Sequence, residues 1–146
     1  MRAMGFLSGG NMWAEKYIGL PYKSLGRSLR GVDCYGLVYL VYKHELNIDL
    51  PKIDIGYQNG LNSEEVAPVF EKGINSFLSD YTFKKVNDFK SFDLLLYRRS
   101  GYISHIAICL NDKQFLHADL GSRSCIENIN HKYWVHRLVG VYRYAN

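Results

Sequence analysis

No stretch of this 146-residue chain stays apolar for the length of a membrane span, so the sequence offers no membrane helix. Its first ten residues carry one positive charge, Arg2, and no apolar run of signal-peptide length. Export by a signal of its own is therefore not expected, and residues 1–10 are expected to be flexible. Lys and Arg together number 18 against 14 Asp and Glu, and no cluster is dense enough to argue for nucleic acid. Cysteine is scarce. There are three, Cys34, Cys109 and Cys125, with no CxxC pair, so neither a structural zinc centre nor a disulfide framework is expected. Internal repeats, linkers and low-complexity tracts are also missing, which leaves one domain, 1–146, as the simplest organisation. What is plentiful is tyrosine. Its 12 copies suit either a groove for sugars or extended peptides or a tyrosine-rich core.

Helices come first along the chain. A short one is expected from Asn11 to Ile18 with Asn11 as N-cap, ended by Gly19-Leu20-Pro21; Tyr22 to Gly31 reads as a loop. Asp33 is an N-cap candidate for a helix that begins at Cys34 and ends near Asn47. Leu37, Val38, Val41 and Tyr42 recur at helical spacing, and the helix is apolar almost all round, as a buried central helix would be. A second helical region spans about Ser63 to Leu78, with Asn62 and Glu65 as a cap-like pair and Pro68 and Gly73 as weak points. Five strands follow, at Asp93–Tyr97, Ile103–Leu110, Gln114–Ala118, Ser124–Ile129 and Leu138–Tyr144. Helices followed by antiparallel strands give an α+β fold, with the helices packed on one face of the sheet.

Cys34 stands where a thiol is most easily ionised, at the first turn of a helix, under the positive end of its dipole. A small buried core cysteine would look the same. Cys109 lies inside an apolar strand and Cys125 at a strand start, and neither precedes a helix. Among five histidines, His44 sits ten residues along the same helix, about 15 Å of rise away, and cannot reach the thiol. His131 and His136 flank Tyr133-Trp134 in a polar connection. His105 and His117 lie on the two arms of one hairpin. With Asn111-Asp112-Lys113 as a three-residue turn, Leu110 faces Gln114, Ala107 faces His117 and His105 faces Asp119. The two histidines then share a sheet face as diagonal neighbours, about 7–8 Å apart or less at Cβ. A helix-start cysteine beside two such histidines suits a nucleophile, a base and an orienter.

Gly31-Val32-Asp33-Cys34-Tyr35-Gly36-Leu37-Val38 resembles the nucleophile motif of the NlpC-type (NlpC/p60) cell-wall cysteine peptidases. Ser104-His105-Ile106-Ala107-Ile108 resembles that family's histidine strand, and Gln114-Phe115-Leu116-His117-Ala118 its third-residue strand. Gly19-Leu20-Pro21-Tyr22 is similar to the segment carrying its active-site tyrosine. Two departures stand out: Phe92-Asp93 replaces a frequent Gly-Asp, and Ala107 replaces a frequent Gly. A narrower likeness, to phage tail-associated members, runs through Asp33–Leu37, Tyr42–Pro51, Trp134–Arg137 and Gly140–Arg143.

The resemblance implies a papain-like α+β fold and hydrolysis of amide bonds in peptidoglycan stem peptides, usually between D-glutamate and a diamino acid. Cys34 would attack, His105 would act as base and acid, and His117 would orient His105. Tyr22 would add an oxyanion donor or else only pack, and Asp33 would cap the helix or bind a substrate amine. No metal or cofactor is implied, and neither a nucleic acid nor a membrane partner. The expected setting is synthesis in the cytoplasm and action at the bacterial wall as part of a phage tail, beside other tail proteins. Rival readings are a Cys–His acyltransferase or amidase on the same scaffold and a non-catalytic tail component. Thiol labelling discriminates them.

Overall fold

The structure, a computed structural model, describes residues 9–52 and 63–145. Its centre is helix α1, Cys34–Leu46. Asp33 starts it from an extended conformation, and its side chain accepts the Gly36 N–H at 2.7 Å. Such a cap is worth about 1 kcal/mol. Asn47 ends the helix in the left-handed conformation at φ 56°, one that Asn tolerates better than most residues. Eight of its residues are buried, from Cys34 through Tyr42, so the all-round apolar pattern did mark a central helix. Helix α2, Ser63–Asp80, runs two residues beyond the expected end and continues through both Pro68 and Gly73. Its Glu71 accepts the backbone N–H of Ile103 at 2.7 Å, which fastens the helix to the sheet. The expected Asn62–Glu65 cap lies outside the described residues. No described helix is long and apolar enough to cross a membrane.

The small strands β1 (Arg27–Ser28) and β2 (Gly31–Val32) pair just before α1, the first inside the stretch expected to be a loop and the second starting at its last residue. The main sheet holds β3 (Phe83–Val86), β4 (Leu94–Arg99), β5 (Tyr102–Cys109), β6 (Gln114–His117) and β7 (Cys125–Asn128), and closes with β8 (Leu138–Tyr144). Its order is β3-β8-β4-β5-β6-β7, with every neighbour antiparallel. The α+β architecture expected from the sequence is the one observed. Period-two alternation divides the core. Leu94, Leu96, Ile106, Ile108 and Leu116 pack under α1 and α2, while Leu95, Tyr97, Ala107, Cys109 and Phe115 meet Trp134 on the other side. Trp134 belongs to a one-turn helix, α3 (Lys132–Val135), in a stretch read from the sequence as a polar connection.

Two local expectations change. The first segment is a 3-10 helix, Gly9–Tyr17, not an α-helix capped by Asn11. Asn11 is buried and works at long range: its amide donates to the Leu110 carbonyl at 2.8 Å and accepts from the Asn111 side chain at 2.9 Å. Gly9 and Gly10 lie in this helix, and the rest of the segment expected to be flexible falls outside the described residues. Phe92, at the place of a frequent Gly, takes φ 74°, in the region that favours glycine. It is held there by stacking on Trp13 at 4.4 Å and by its N–H on the Cys109 carbonyl at 2.8 Å.

Candidate active site

His105 occupies a β-bulge. Tyr97 pairs with His105 but Arg98 pairs with Ile103, so Ser104 is an extra residue on β5. The bulge breaks the alternation: Ile103 joins the core under the helices, while His105 turns to the opposite side. There it stacks on Trp134, with ring centroids 5.4 Å apart and planes 27° from parallel. The hairpin β5–β6 has the register expected from a three-residue turn. Ile108 pairs with Leu116, Cys109 with Phe115, and Leu110 donates its N–H to the Gln114 carbonyl. Asn111 sets the turn by accepting the N–H groups of Lys113 and Gln114 at 2.8 and 2.9 Å.

This register brings the two histidines together. His105 Nε2 and His117 Nδ1 are 2.8 Å apart, and both rings are buried. On the far side, His117 Nε2 lies 3.4 Å from the carboxylate of Glu127. The bond to His117 holds the Glu127 carboxyl below the usual carboxylate range, and an ionised carboxylate only accepts. Glu127 therefore favours the His117 tautomer that carries its proton on Nε2. His117 Nδ1 then accepts from His105 Nε2, and His105 Nδ1 is left as a lone pair. Burial, then the neighbouring His117 and Arg99, hold His105 well below the ordinary imidazole pKa, while Asp119 opposes them. His105 is thus held in its neutral form near pH 7.

Asp119 approaches His105 Nδ1 to 4.0 Å, outside hydrogen-bond reach. Its carboxylate is gripped by Arg99 through two bonds of 3.0 and 3.1 Å, which help keep it ionised. Neither Asp119, Arg99, Trp134 nor Glu127 was assigned a site role by sequence reasoning. Asp119 alone had a signal, since the hairpin register places it opposite His105.

Cys34 is 4% exposed at the first residue of α1 and belongs to the core cluster that contains Ile103 and Ile106 of β5. Burial raises the Tyr22 phenol pKa, and Cys34, Asp33, Asp119 and Arg99 all lie within electrostatic reach of it. The phenol thus stays protonated and able to donate. Asp33, expected either to cap or to contact substrate, is wholly buried and caps. One oxygen takes the Gly36 N–H and Arg27 Nη1, and the other takes the Leu25 N–H at 2.8 Å. Both oxygens are thus engaged inside the protein, as capping requires. No disulfide joins the three cysteines. His44, His131 and His136 are exposed and outside this group, and His131 accepts the Tyr133 N–H at the start of α3.

The architecture is α+β, with a cysteine at the start of its central helix and a pair of imidazoles on its sheet. The chain belongs to the NlpC/P60 family, whose pattern matches residues 19–143. It is similar to the gamma-DL-glutamyl hydrolase of Bacillus subtilis (strain 168), with 31% identity over 134 residues, covering 91% of this chain and 28% of that protein. It is also similar to murein DD-endopeptidase MepS/murein LD-carboxypeptidase of Escherichia coli (strain K12), at 24% identity, covering 82% of this chain and 53% of that protein. The chain thus spans about half or less of these curated relatives. Among solved structures, the NlpC/p60 domain of peptidoglycan hydrolase SagA shares the fold at a TM-score of 0.59 and 24% identity, covering 94% of this chain and 99% of that one.

Proposed function

We propose that the chain is a cysteine peptidase that hydrolyses amide bonds in peptidoglycan stem peptides through Cys34, His105 and His117. The observation that carries this reading is the buried 2.8 Å contact between His105 Nε2 and His117 Nδ1, backed by Glu127, which leaves His105 Nδ1 for a thiol. In this reading His105 Nδ1 takes the Cys34 proton as sulfur attacks the scissile carbonyl, and then gives it to the departing amine. The backbone N–H groups at the start of α1 and the Tyr22 hydroxyl meet the oxyanion. His117 and Glu127 hold the His105 tautomer, and Asp119 adds negative charge near the imidazolium. Water then cleaves the thioester. Relatives named as a murein endopeptidase and a gamma-DL-glutamyl hydrolase support an amide-cleaving reading. Digesting purified peptidoglycan and weighing the fragments tests it. New amino and carboxyl ends within stem peptides are expected, and intact stems after exhaustive digestion would refute it.

The finer reading, action from a phage tail alongside other tail proteins, rests on the sequence likeness of Asp33–Leu37, Tyr42–Pro51, Trp134–Arg137 and Gly140–Arg143 to tail-associated members. Its test is the presence of this chain in purified virions, found by mass spectrometry of their peptides.

Thiol labelling separates a peptidase from a protein that only binds. Burial pushes the Cys109 thiol up to about 12 and the Cys125 thiol up to about 11. Near pH 7 both are almost wholly protonated. Cys34, at a helix N-terminus and in this reading served by His105 as base, is expected to react with iodoacetamide at least about 100-fold faster than either. Comparable rates at all three would count against a catalytic Cys34.

A further inference from the structure

Strands β6 and β7 assemble a second group of side chains around His117. The register pairs His117 with Cys125 and Phe115 with Glu127. Cys125 and Glu127, two residues apart on one strand, therefore face the same way beside His117. His117 Nε2 lies 3.6 Å from Cys125 Sγ and 3.4 Å from Glu127 Oε2, and the sulfur lies 3.8 Å from that oxygen. Tetrahedral zinc, with bonds of about 2.0–2.3 Å to nitrogen, oxygen and sulfur, holds its ligand atoms about 3.3–3.6 Å apart. The three atoms already stand close to three corners of such a tetrahedron. His117 is buried, whereas the Glu127 side chain is 36% exposed, so the group opens to solvent on its Glu127 side. One thiolate and one carboxylate would balance a dication, and a set of N, S and O ligands suits zinc better than a hard ion such as magnesium.

We infer that His117, Cys125 and Glu127 form a site for zinc or a similar borderline divalent cation, and that filling it switches the peptidase off through His105. The binding half stands on these three residues alone; the inhibitory half rests on the triad reading above. A metal on His117 Nε2 displaces the proton that Glu127 holds there. The ring must then carry its proton on Nδ1, because a metal-bound imidazole donates through its other nitrogen. Protons balance as follows. The His117 Nε2 proton and the Cys125 thiol proton leave to solvent, the His105 Nε2 proton passes to His117 Nδ1, and His105 regains one proton from solvent on Nδ1. Its Nδ1 lone pair, the one that would accept the Cys34 proton, is gone. The 2.8 Å hydrogen bond remains but runs in reverse. The ligand set is invisible in the sequence, which has no CxxC pair, because it forms only when β6 and β7 pair.

The binding half is tested in Cys34→Ala protein, which lacks the nucleophile thiol, by titration with Co²⁺. A thiolate-to-cobalt absorption band in the near ultraviolet should grow to one cobalt per chain and vanish in Cys34→Ala/Cys125→Ser, with circular dichroism confirming that both variants fold. A band that survives Cys125→Ser, or no band in Cys34→Ala, overturns the site. The inhibitory half is read from peptidoglycan turnover against Zn²⁺. Zn²⁺ should inhibit the native protein and a chelator should restore its rate, while Cys125→Ser should keep the basal rate yet need at least about tenfold more zinc for half-inhibition. Equal zinc sensitivity in the two overturns that half. A native chain that cleaves nothing in the absence of zinc refutes the peptidase reading, while the cobalt band still reports the metal site.

Discussion

Replacing Cys34 by alanine is expected to lower peptidoglycan turnover by at least about 10⁴-fold, because a nucleophile has no substitute in its own site. The side chain is small and buried at the start of α1, so melting behaviour should barely change. The two histidines should then separate by role. His105→Asn removes the group that exchanges the proton, and an amide cannot take its place near neutral pH. A loss of about 10³–10⁴-fold is expected. His117→Asn removes only the acceptor that fixes the His105 tautomer. An amide oxygen can accept the same N–H, so this variant should keep at least about tenfold more activity than His105→Asn. The measurement is turnover of all three variants on one peptidoglycan preparation, with circular dichroism as the check on folding. If His117→Asn is as inactive as His105→Asn, or if His105→Asn is the more active, the assigned roles are reversed or wrong. Full activity in Cys34→Ala would end the peptidase reading altogether.

What could be read from the sequence was what local chemistry decides. Asp33 announced α1 because a carboxylate just before an apolar helix is a ready N-cap, and of the two uses open to it the structure shows the cap. The hairpin register depended on reading Asn111-Asp112-Lys113 as a three-residue turn; that turn puts His105 and His117 on one face, and the observed register and contact agree. The supporting residues were hidden because distance in the chain conceals them. Glu127 meets His117 only through the β6–β7 pairing, and the seven residues between those strands, 118–124, carry no turn type that fixes a register. Trp134 reaches His105 from a one-turn helix too short for periodicity to reveal. The bulge at Ser104 has no sequence signature, yet it decides which side of the sheet His105 faces. Asn11 looked like a cap because Asn often caps; here its tie to Leu110, across most of the chain, outweighs the local preference. Phe92 shows the same contest, with stacking on Trp13 holding a conformation that glycine would enter without strain.

Gly36→Ala is expected to be the most damaging single methyl group that can be added to this site. The residue lies in the first turn of α1, in an ordinary helical conformation, so backbone freedom is not why glycine stands there. The reason is space. A Cβ at Gly36 would land on the carbonyl oxygen of Gly26, deep inside van der Waals contact, and within 2.9 Å of both Arg27 Nη1 and Asp33 Oδ1. Those atoms cannot step aside. Arg27 Nη1 donates to that same Gly26 carbonyl at 3.0 Å and to Asp33 at 3.2 Å, and Gly26 N–H is tied to the Lys23 carbonyl at 2.9 Å. Asp33 in turn holds the Gly36 N–H and the Leu25 N–H. Any relief must move either the segment that carries Tyr22 or the helix start that carries Cys34. Overpacking against fixed backbone, with a cap and a buried ion pair disturbed together, should cost about 3 kcal/mol or more. For a chain of this size that is a fall in melting temperature on the order of 10 °C. Turnover of whatever fraction stays folded should fall as well, because the thiol and the Tyr22 hydroxyl would no longer keep their relative positions. Gly10→Ala is the control. Nothing lies within 4 Å of a Cβ there, so its effect should stay within about 0.5 kcal/mol. Thermal denaturation of the two variants beside the native chain decides the matter. If Gly36→Ala melts within about 2 °C of native, the packing account of this glycine is wrong.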